Sequence, residues 1–303
     1  MSIGKLIFNF LIYPGFIFVL LVGGIASFLE RKITARIQWR VGPPFLQPFY
    51  DLLKLFFVKE TVIPEGVNIP FFILVPVIAF SSAVLTSVLI TNIFIKSFQG
   101  FTADLIVIVY LFTIPSLCVI FAGAVSKNPL SSLGSSREMK LILSYELVFW
   151  TSLSIVIIKT GGKITLRDIL TFQENSKPIV FSLSGFIAFI LSLIVMQAKL
   201  GKVPFDISEA EQELIAGPYI EYSGALLGFF KVTHYILLFS LPAFISVLFL
   251  GGLNIFKYLL LLIFIIVFEN TNPRLKITQA IRFFWFYLFP LGIIGIILAV
   301  KGL

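Results

Sequence analysis

The chain alternates long apolar runs with short polar ones. Runs of spanning length fall at residues 6–29, 69–95, 105–126, 141–158, 180–198, 223–250, 253–268 and 283–300. A hydrocarbon core of about 30 Å takes about 20 helical residues, so the pattern predicts eight transmembrane helices. The 141–158 and 253–268 runs are short, whereas 223–250 is long enough to tilt. Pro14, Pro76, Pro115, Pro242 and Pro290 predict bends within the spans. The first run is too long for a signal peptide, lacks a small-residue cleavage site and stops at Glu30-Arg31-Lys32, so it is expected to stay as a span.

Between the first two spans the pattern changes. Pro48 suits a first helical turn. Phe49, Leu52, Leu53, Leu55, Phe56 and Phe57 then form an apolar face, and Gln47, Tyr50, Asp51 and Lys54 a polar stripe at three- and four-residue spacing. This predicts a short amphipathic helix in the membrane interface. Just before it, Arg36 and Arg40 are four apart. A helix running out of the first span as far as Gly42-Pro43-Pro44 puts both guanidinium groups on one face, a presentation that grips carboxylates on a partner. A plain interfacial anchor accounts equally well for the apolar face.

Composition narrows the class. Of 303 residues, 58% are hydrophobic and 13% charged, with a mean hydropathy of +1.05. Soluble domains carry about 45–50% apolar and about 25% charged residues. Soluble, disordered and fibrous readings are excluded, and an all-α polytopic membrane protein is left. It forms a single integral membrane domain over 1–303, with a first loop at 30–68 and an acidic loop at 199–222. The 35 Phe residues suit a lipid-facing surface. A single cysteine, Cys118, excludes a disulfide framework, a Cys₄ iron–sulfur nest and a Cys/His zinc site on this chain. Cys118 itself reads as a small buried apolar residue. The single histidine, His234, excludes a bis-His haem, so no cofactor or metal is expected here and any redox group belongs to partners.

The net charge of +8 does not imply nucleic acid, because the bases sit at span ends. Fourteen of the 23 lie in the first, third, fifth and seventh loops, which predicts cytoplasmic odd-numbered loops and both termini outside. The same loops hold 11 of the 15 acids. Acids contribute little to orientation, so their crowding points to a docking or ion-handling surface, the alternative being solvated loops on the side where loops are longer.

The stretch GKVPFDISEAEQELIAGPYIEYSG is the richest. Asp206 with Glu209 three residues on has capping-box spacing, and a helix there puts Asp206, Glu209 and Glu213 on one face with Glu211 turned away. Three acids on one stripe repel, so they should either meet arginines or hold raised pKa values and exchange protons near neutrality. A solvated helix face remains open from spacing alone. Glu221 follows in the same loop. Within the spans stand Glu146, in Ser144-Tyr145-Glu146, and Lys231 with His234, three apart on one face. Ionisable groups in spans are costly and usually face a polar interior. Lys231 and His234 read as a structural pair or as a proton-transfer pair. No P-loop, G-x-G-x-x-G or nucleophile elbow occurs.

Taken together, the chain resembles the subunit 1 family of respiratory complex I and its relatives in energy-converting membrane-bound NiFe hydrogenases. The resemblance rests on Glu30-Arg31-Lys32, Arg40-Val41-Gly42-Pro43, Gln47-Pro48, Asp51-Leu52-Leu53-Lys54-Leu55, Lys59-Glu60, Ser144-Tyr145-Glu146, Pro204-Phe205-Asp206, Glu209-Ala210-Glu211, Glu213-Leu214, Ala216-Gly217 and Glu221-Tyr222-Ser223-Gly224, in family order. It implies a membrane-anchor subunit of an ion-translocating oxidoreductase, docking a peripheral redox arm and passing energy to antiporter-like and small membrane subunits. It assigns Arg36, Arg40, Asp51 and Lys54 to the docking loop. It places Asp206, Glu209, Glu211, Glu213 and Glu221 in the acidic loop and Glu146 on a polar route into the membrane; with Lys231 and His234 from the span pattern, these residues make up the expected proton or charge relay. His234-Tyr235 replaces the Glu-Tyr pair common in quinone-type members, and the last loop reads Glu269-Asn270-Thr271-Asn272-Pro273-Arg274-Leu275-Lys276. Both favour the hydrogenase branch or its sulfane-reductase relatives. There the partners are a hydrogenase-like large subunit and an Fe–S small subunit, carrying Fe–S clusters and Ni–Fe. The alternative is the quinone-site subunit of NADH:quinone oxidoreductase, and only that reading brings a quinone. A stand-alone secondary transporter or a membrane enzyme with its own site are the remaining competitors, without half-repeat symmetry or a nucleophile to support them.

Overall fold

The computed structural model describes residues 8–93 and 104–303, without the side chains of Glu211 and Gln212. The fold is helical, and among the described residues the only extended pairing is an isolated bridge between Asp104 and Thr165. The helices are α1 (Phe16–Ile37), α2 (Gln47–Leu53), α3 (Ile69–Asn92), α4 (Leu105–Val125), α5 (Pro129–Lys159), α6 (Leu166–Asn175), α7 (Leu183–Lys199), α8 (Gly224–Phe249), α9 (Ile255–Thr271), α10 (Ile277–Arg282) and α11 (Phe289–Val300). α1 continues from a turn at Phe8, and α10 joins α11 through a π-helical stretch, Phe283–Leu288. Within the described residues each of the eight apolar runs is therefore largely helical. Among the described residues six helices are long and apolar enough to cross a membrane, α7 is a shorter apolar helix of 17 residues, and α9, also of 17 residues, covers the seventh run.

Two stretches depart most from the sequence pattern. The fourth span starts at Pro129, not near 141, because Asn128 caps α5 by accepting from the Leu130 N–H (2.9 Å) and proline fills its first turn. Its 31 residues run about 46 Å at 1.5 Å per residue, so the first turns stand above the hydrocarbon and Glu138 is helical, not in a loop. α6 occupies a stretch expected as loop. Its signal is Thr165 three residues before Asp168, and Thr165 Oγ1 accepts from the Asp168 N–H (3.2 Å).

α8 is the centre of the bundle: 94% of its most apolar stretch is buried, against 28% for α10–α11 on the periphery. Small residues set the crossings. A Cβ on Gly23 would lie 2.1 Å from the Tyr235 carbonyl oxygen, and one on Gly123 1.8 Å from Ser135 Oγ, so α1–α8 and α4–α5 approach closely.

The odd-numbered loops meet on one face. The Val62 N–H donates to Ser223 Oγ (2.8 Å), Asn270 Nδ2 to Thr34 Oγ1 (3.0 Å), Asn128 Nδ2 to Glu221 Oε1 (2.7 Å), and the Leu275 N–H to the Pro204 carbonyl (3.1 Å). On the opposite face the Leu105 N–H reaches the Ile164 carbonyl (3.0 Å) and Gln173 Nε2 the Val247 carbonyl (2.9 Å).

Candidate functional site

Under the odd-loop face a cavity of about 300 Å³ lies between α1, the 199–223 segment and α8. Its polar lining includes Glu30, Arg31, Lys202, Glu209, Lys231 and His234. At its heart Lys202 donates to Glu30 Oε1, and the side chains are 18% and 6% exposed. Burial alone would lower the Lys202 pKa, but Glu30, then Glu269 and Glu209, outweigh it and hold the ammonium above its ordinary range. Lys202 therefore remains charged among three carboxyl groups. Glu269 Oε2 is buried without a hydrogen-bond partner.

The acidic loop does not form the expected helix face. Residues 202–210 are irregular, and the loop's helical turns are confined to Glu211–Leu214 and the 3-10 turn Gly217–Tyr219. Phe205, Ile207, Ser208 and Ala210 are buried, so the chain is committed to packing at positions that a 206–213 helix would scatter. The three acids separate accordingly, each to its own base. Asp206 takes Arg274 (2.7 Å), Glu209 faces Lys231 and Lys202 and accepts from the Tyr219 hydroxyl, and Glu213 takes Arg137 (2.6 Å) at the surface. Separation relieves the like-charge repulsion a shared stripe would carry. Burial raises the Glu209 carboxyl above its usual range, with Lys231 and Lys202 opposing, and burial likewise raises Asp206 against Arg274. Arg137 holds Glu213 below its usual range. Glu221 lies on the α5 cap through Asn128, and the side chain of Glu211 falls outside the described residues.

Deeper in, Glu146 pairs with Lys199, Nζ to Oε1 2.5 Å, and the lysine is 2% exposed. Its ammonium lies 5.1 Å from the Tyr145 ring centroid and 4.9 Å from that of Phe149. Lys231 and His234 share one face and both line the cavity, with Lys231 exposed. Glu138 accepts from Ser208 Oγ (2.6 Å), tying α5 to the acidic loop.

The first loop corrects a second expectation. α1 ends at Ile37, and the Arg40 N–H closes back onto the Ala35 carbonyl (2.7 Å). Arg36 and Arg40 thus do not share a helix face, although both are exposed. The turn comes before Gly42-Pro43-Pro44, with Trp39 at φ 60°. The amphipathic helix forms as α2 with a π-helical extension, Lys54–Val58. Its polar stripe divides: Lys54 and Tyr50 are exposed, whereas Asp51 turns inward, accepting from Arg31 (3.0 Å) and Gln47 Nε2 (2.8 Å).

Lys199, Lys202, Arg137, Arg274 and Tyr219 do not stand out in the sequence. Lysines at the ends of apolar runs read as stop signals, and the arginines lie 70 or so residues from the acids they meet. Among the described residues no three His, Cys, Asp or Glu side chains converge as a metal-ligand set.

Fold and site together define a multi-pass membrane protein whose ionisable groups gather on one face and continue, pair by pair, into the bundle. Residues 11–300 match the family model described as NADH dehydrogenase. The H-type subunit of the NADH-quinone oxidoreductase of Geobacillus thermodenitrificans is 32% identical, over 94% of this chain and 91% of that one. Its counterpart in Bacillus thuringiensis is also 32% identical, over 96% and 93%. Among solved structures, a chain of the membrane-bound sulfane sulfur reductase, an archaeal respiratory membrane complex, superposes with a TM-score of 0.89 at 30% identity, covering 98% of this chain and all of that one. The chain belongs to the NADH dehydrogenase subunit 1 family, the membrane subunits of complex I-like oxidoreductases.

Proposed function

We propose that this chain is the membrane-anchor and coupling subunit of an ion-translocating oxidoreductase of the membrane-bound hydrogenase or sulfane-reductase branch. The odd-loop face is cytoplasmic, the termini outside, and the peripheral redox arm docks on Arg36, Arg40 and their neighbours. Electrons reach metal centres in partner subunits. The change of charge there shifts the proton affinity of Glu209 and its neighbours, and the disturbance passes through Lys202, Glu30 and the Glu146–Lys199 pair to antiporter-like subunits.

The observation that carries this reading is the succession of acid–base pairs from the loop face into the bundle, with a charged Lys202 held among Glu30, Glu209 and Glu269. In such a half-buried setting a nearby unit charge acts strongly. The branch is supported by the 30% identity and full-length superposition on the sulfane reductase chain. The quinone-site reading draws on the names of the curated relatives, and the cavity itself does not decide between the two, since Leu200, Leu227, Phe230 and Tyr235 line it beside the charged groups. The test is the Glu30→Gln, Glu209→Gln double variant in the intact complex, reconstituted in vesicles. Arm binding and electron transfer should persist while ion translocation per electron falls. Normal translocation at full turnover would defeat the reading.

A further inference from the structure

A second concave site lies away from the ion pairs, where the odd-loop ends of α9 and α10 diverge. It is a groove of about 430 Å³ walled by Pro204, Phe268, Phe283 and Tyr287, with Gln279 and Arg282 on its rim. Its lining contains no acid. Arg274, the nearest arginine in sequence, is committed to Asp206. Arg282 is exposed and makes no ion pair among the described residues, so its guanidinium faces the groove without a counter-ion.

Depth and shape indicate what supplies that counter-ion. Directly after Arg282 the π-helical stretch presents Trp285, Phe286 and Tyr287 outward, 46%, 71% and 69% exposed. Such exposed aromatic rings on a spanning helix mark the boundary between hydrocarbon and headgroups. Arg282 stands one turn, about 5–6 Å, nearer the odd-loop face, the depth of lipid phosphates. Below it the groove is apolar. The π-helical turn aligns Phe283 and Tyr287, ring centroids 6.4 Å apart, along one wall, and Val267, 48% exposed, follows Ile263 down the outer side of α9. A cation with Phe268, Phe283 and Tyr287 on its membrane side, the polar Asn272 and Gln279 on its loop side and no internal acid match an amphiphile with an anionic head and a hydrocarbon tail. A guanidinium binds phosphate in bidentate fashion.

We propose that the groove between α9 and α10 seats one phospholipid, its phosphate held by Arg282 and its acyl chain laid along Phe268, Phe283 and Tyr287. The site is independent of the coupling reading, because none of its residues belongs to the relay.

The test uses the intact complex, purified in mild detergent and supplied with phosphatidylglycerol. Native mass spectrometry should find one retained phospholipid that Arg282→Gln binds about tenfold more weakly, the loss expected of one charge-assisted contact. Arg282→Lys should recover only part of the affinity, since the bidentate fork is gone. Equal retention by wild type and Arg282→Gln overturns the proposal. Because a variant can fail to assemble, the second measurement leaves Arg282 in place and puts a photo-crosslinking residue at Tyr287. Adducts of phospholipid mass support the site; adducts to another subunit's helix show that a polypeptide covers the groove and overturn it.

Discussion

The Glu146–Lys199 pair gives the sharpest energetic prediction. The Lys199 side chain is 2% exposed and Glu146 16%, with 2.5 Å between charged atoms. Two unit charges at that separation attract by about 6–7 kcal/mol at an effective dielectric of about 20, before desolvation is subtracted. Removing one partner of a buried pair costs about 3–5 kcal/mol, because the other is left uncompensated. The two removals are unequal. Glu146→Gln strands the more deeply buried ammonium against the rings of Tyr145 and Phe149, which return only about 0.5–2 kcal/mol. Lys199→Met leaves a carboxylate that is less deeply buried. Glu146→Gln should therefore cost about 3–4 kcal/mol and Lys199→Met less. The double variant, with no charge left to bury, should recover at least about half of the larger loss. Hydrogen exchange along α5 and α7 reads this locally, as amides exchanging a few hundredfold faster in Glu146→Gln. Single-variant effects that simply add to within about 0.5 kcal/mol would rule out a coupled buried pair.

Three further outcomes follow from the same geometry. Glu213→Gln, at the exposed surface pair with Arg137, should leave exchange in α5 at wild-type rates, since such pairs are screened by water. Gly23→Ala should lower the yield and thermal midpoint of the assembled subunit by an overpacking cost of about 1–3 kcal/mol, because its Cβ meets the Tyr235 carbonyl at 2.1 Å. Raised acid pKa values in Asp206 and Glu209 mean that the folded loop binds more protons than the unfolded one, so its stability is greatest on the acid side and falls as pH climbs through the raised values. Lys202, also raised, contributes fully below its ordinary 10.5 and loses its contribution only as pH passes its folded value. Protease cleavage of the 199–223 segment should thus quicken as pH climbs above the ordinary carboxylate range, and Glu209→Gln should flatten that dependence.

The spans were legible because eight apolar stretches of near-spanning length admit little but membrane helices, and their alternation carried the meeting of the odd loops on one face. The acidic loop was legible as a concentration of carboxyl groups but not as a shape. Helical spacing put Asp206, Glu209 and Glu213 together, and the burial of Phe205, Ile207 and Ala210 prevailed over it. Bases close to spans were the main omission. Lys199 ends an apolar run and Lys202 follows it, positions that carry a membrane-orientation signal whatever else they do, and only the folded chain reveals that one pairs with Glu146 and the other with Glu30. The helix at 166–175 has a legible start in Thr165 and Asp168, but its face is too short to register as a span. Arg36 and Arg40 show the reverse, a spacing that suits a helix in a segment that has already turned.

Coupling of the proposed kind rests on one event: an electron arriving in the docked arm changes proton occupancy on this chain's own carboxyl groups. Infrared difference spectroscopy of the intact complex, oxidised minus reduced, reads that occupancy in the carboxyl C=O band. A redox-linked band should be present in wild type, lost in Glu209→Gln and retained in Glu213→Gln. A difference spectrum identical in wild type and Glu209→Gln would show that Glu209 takes no part in the coupling.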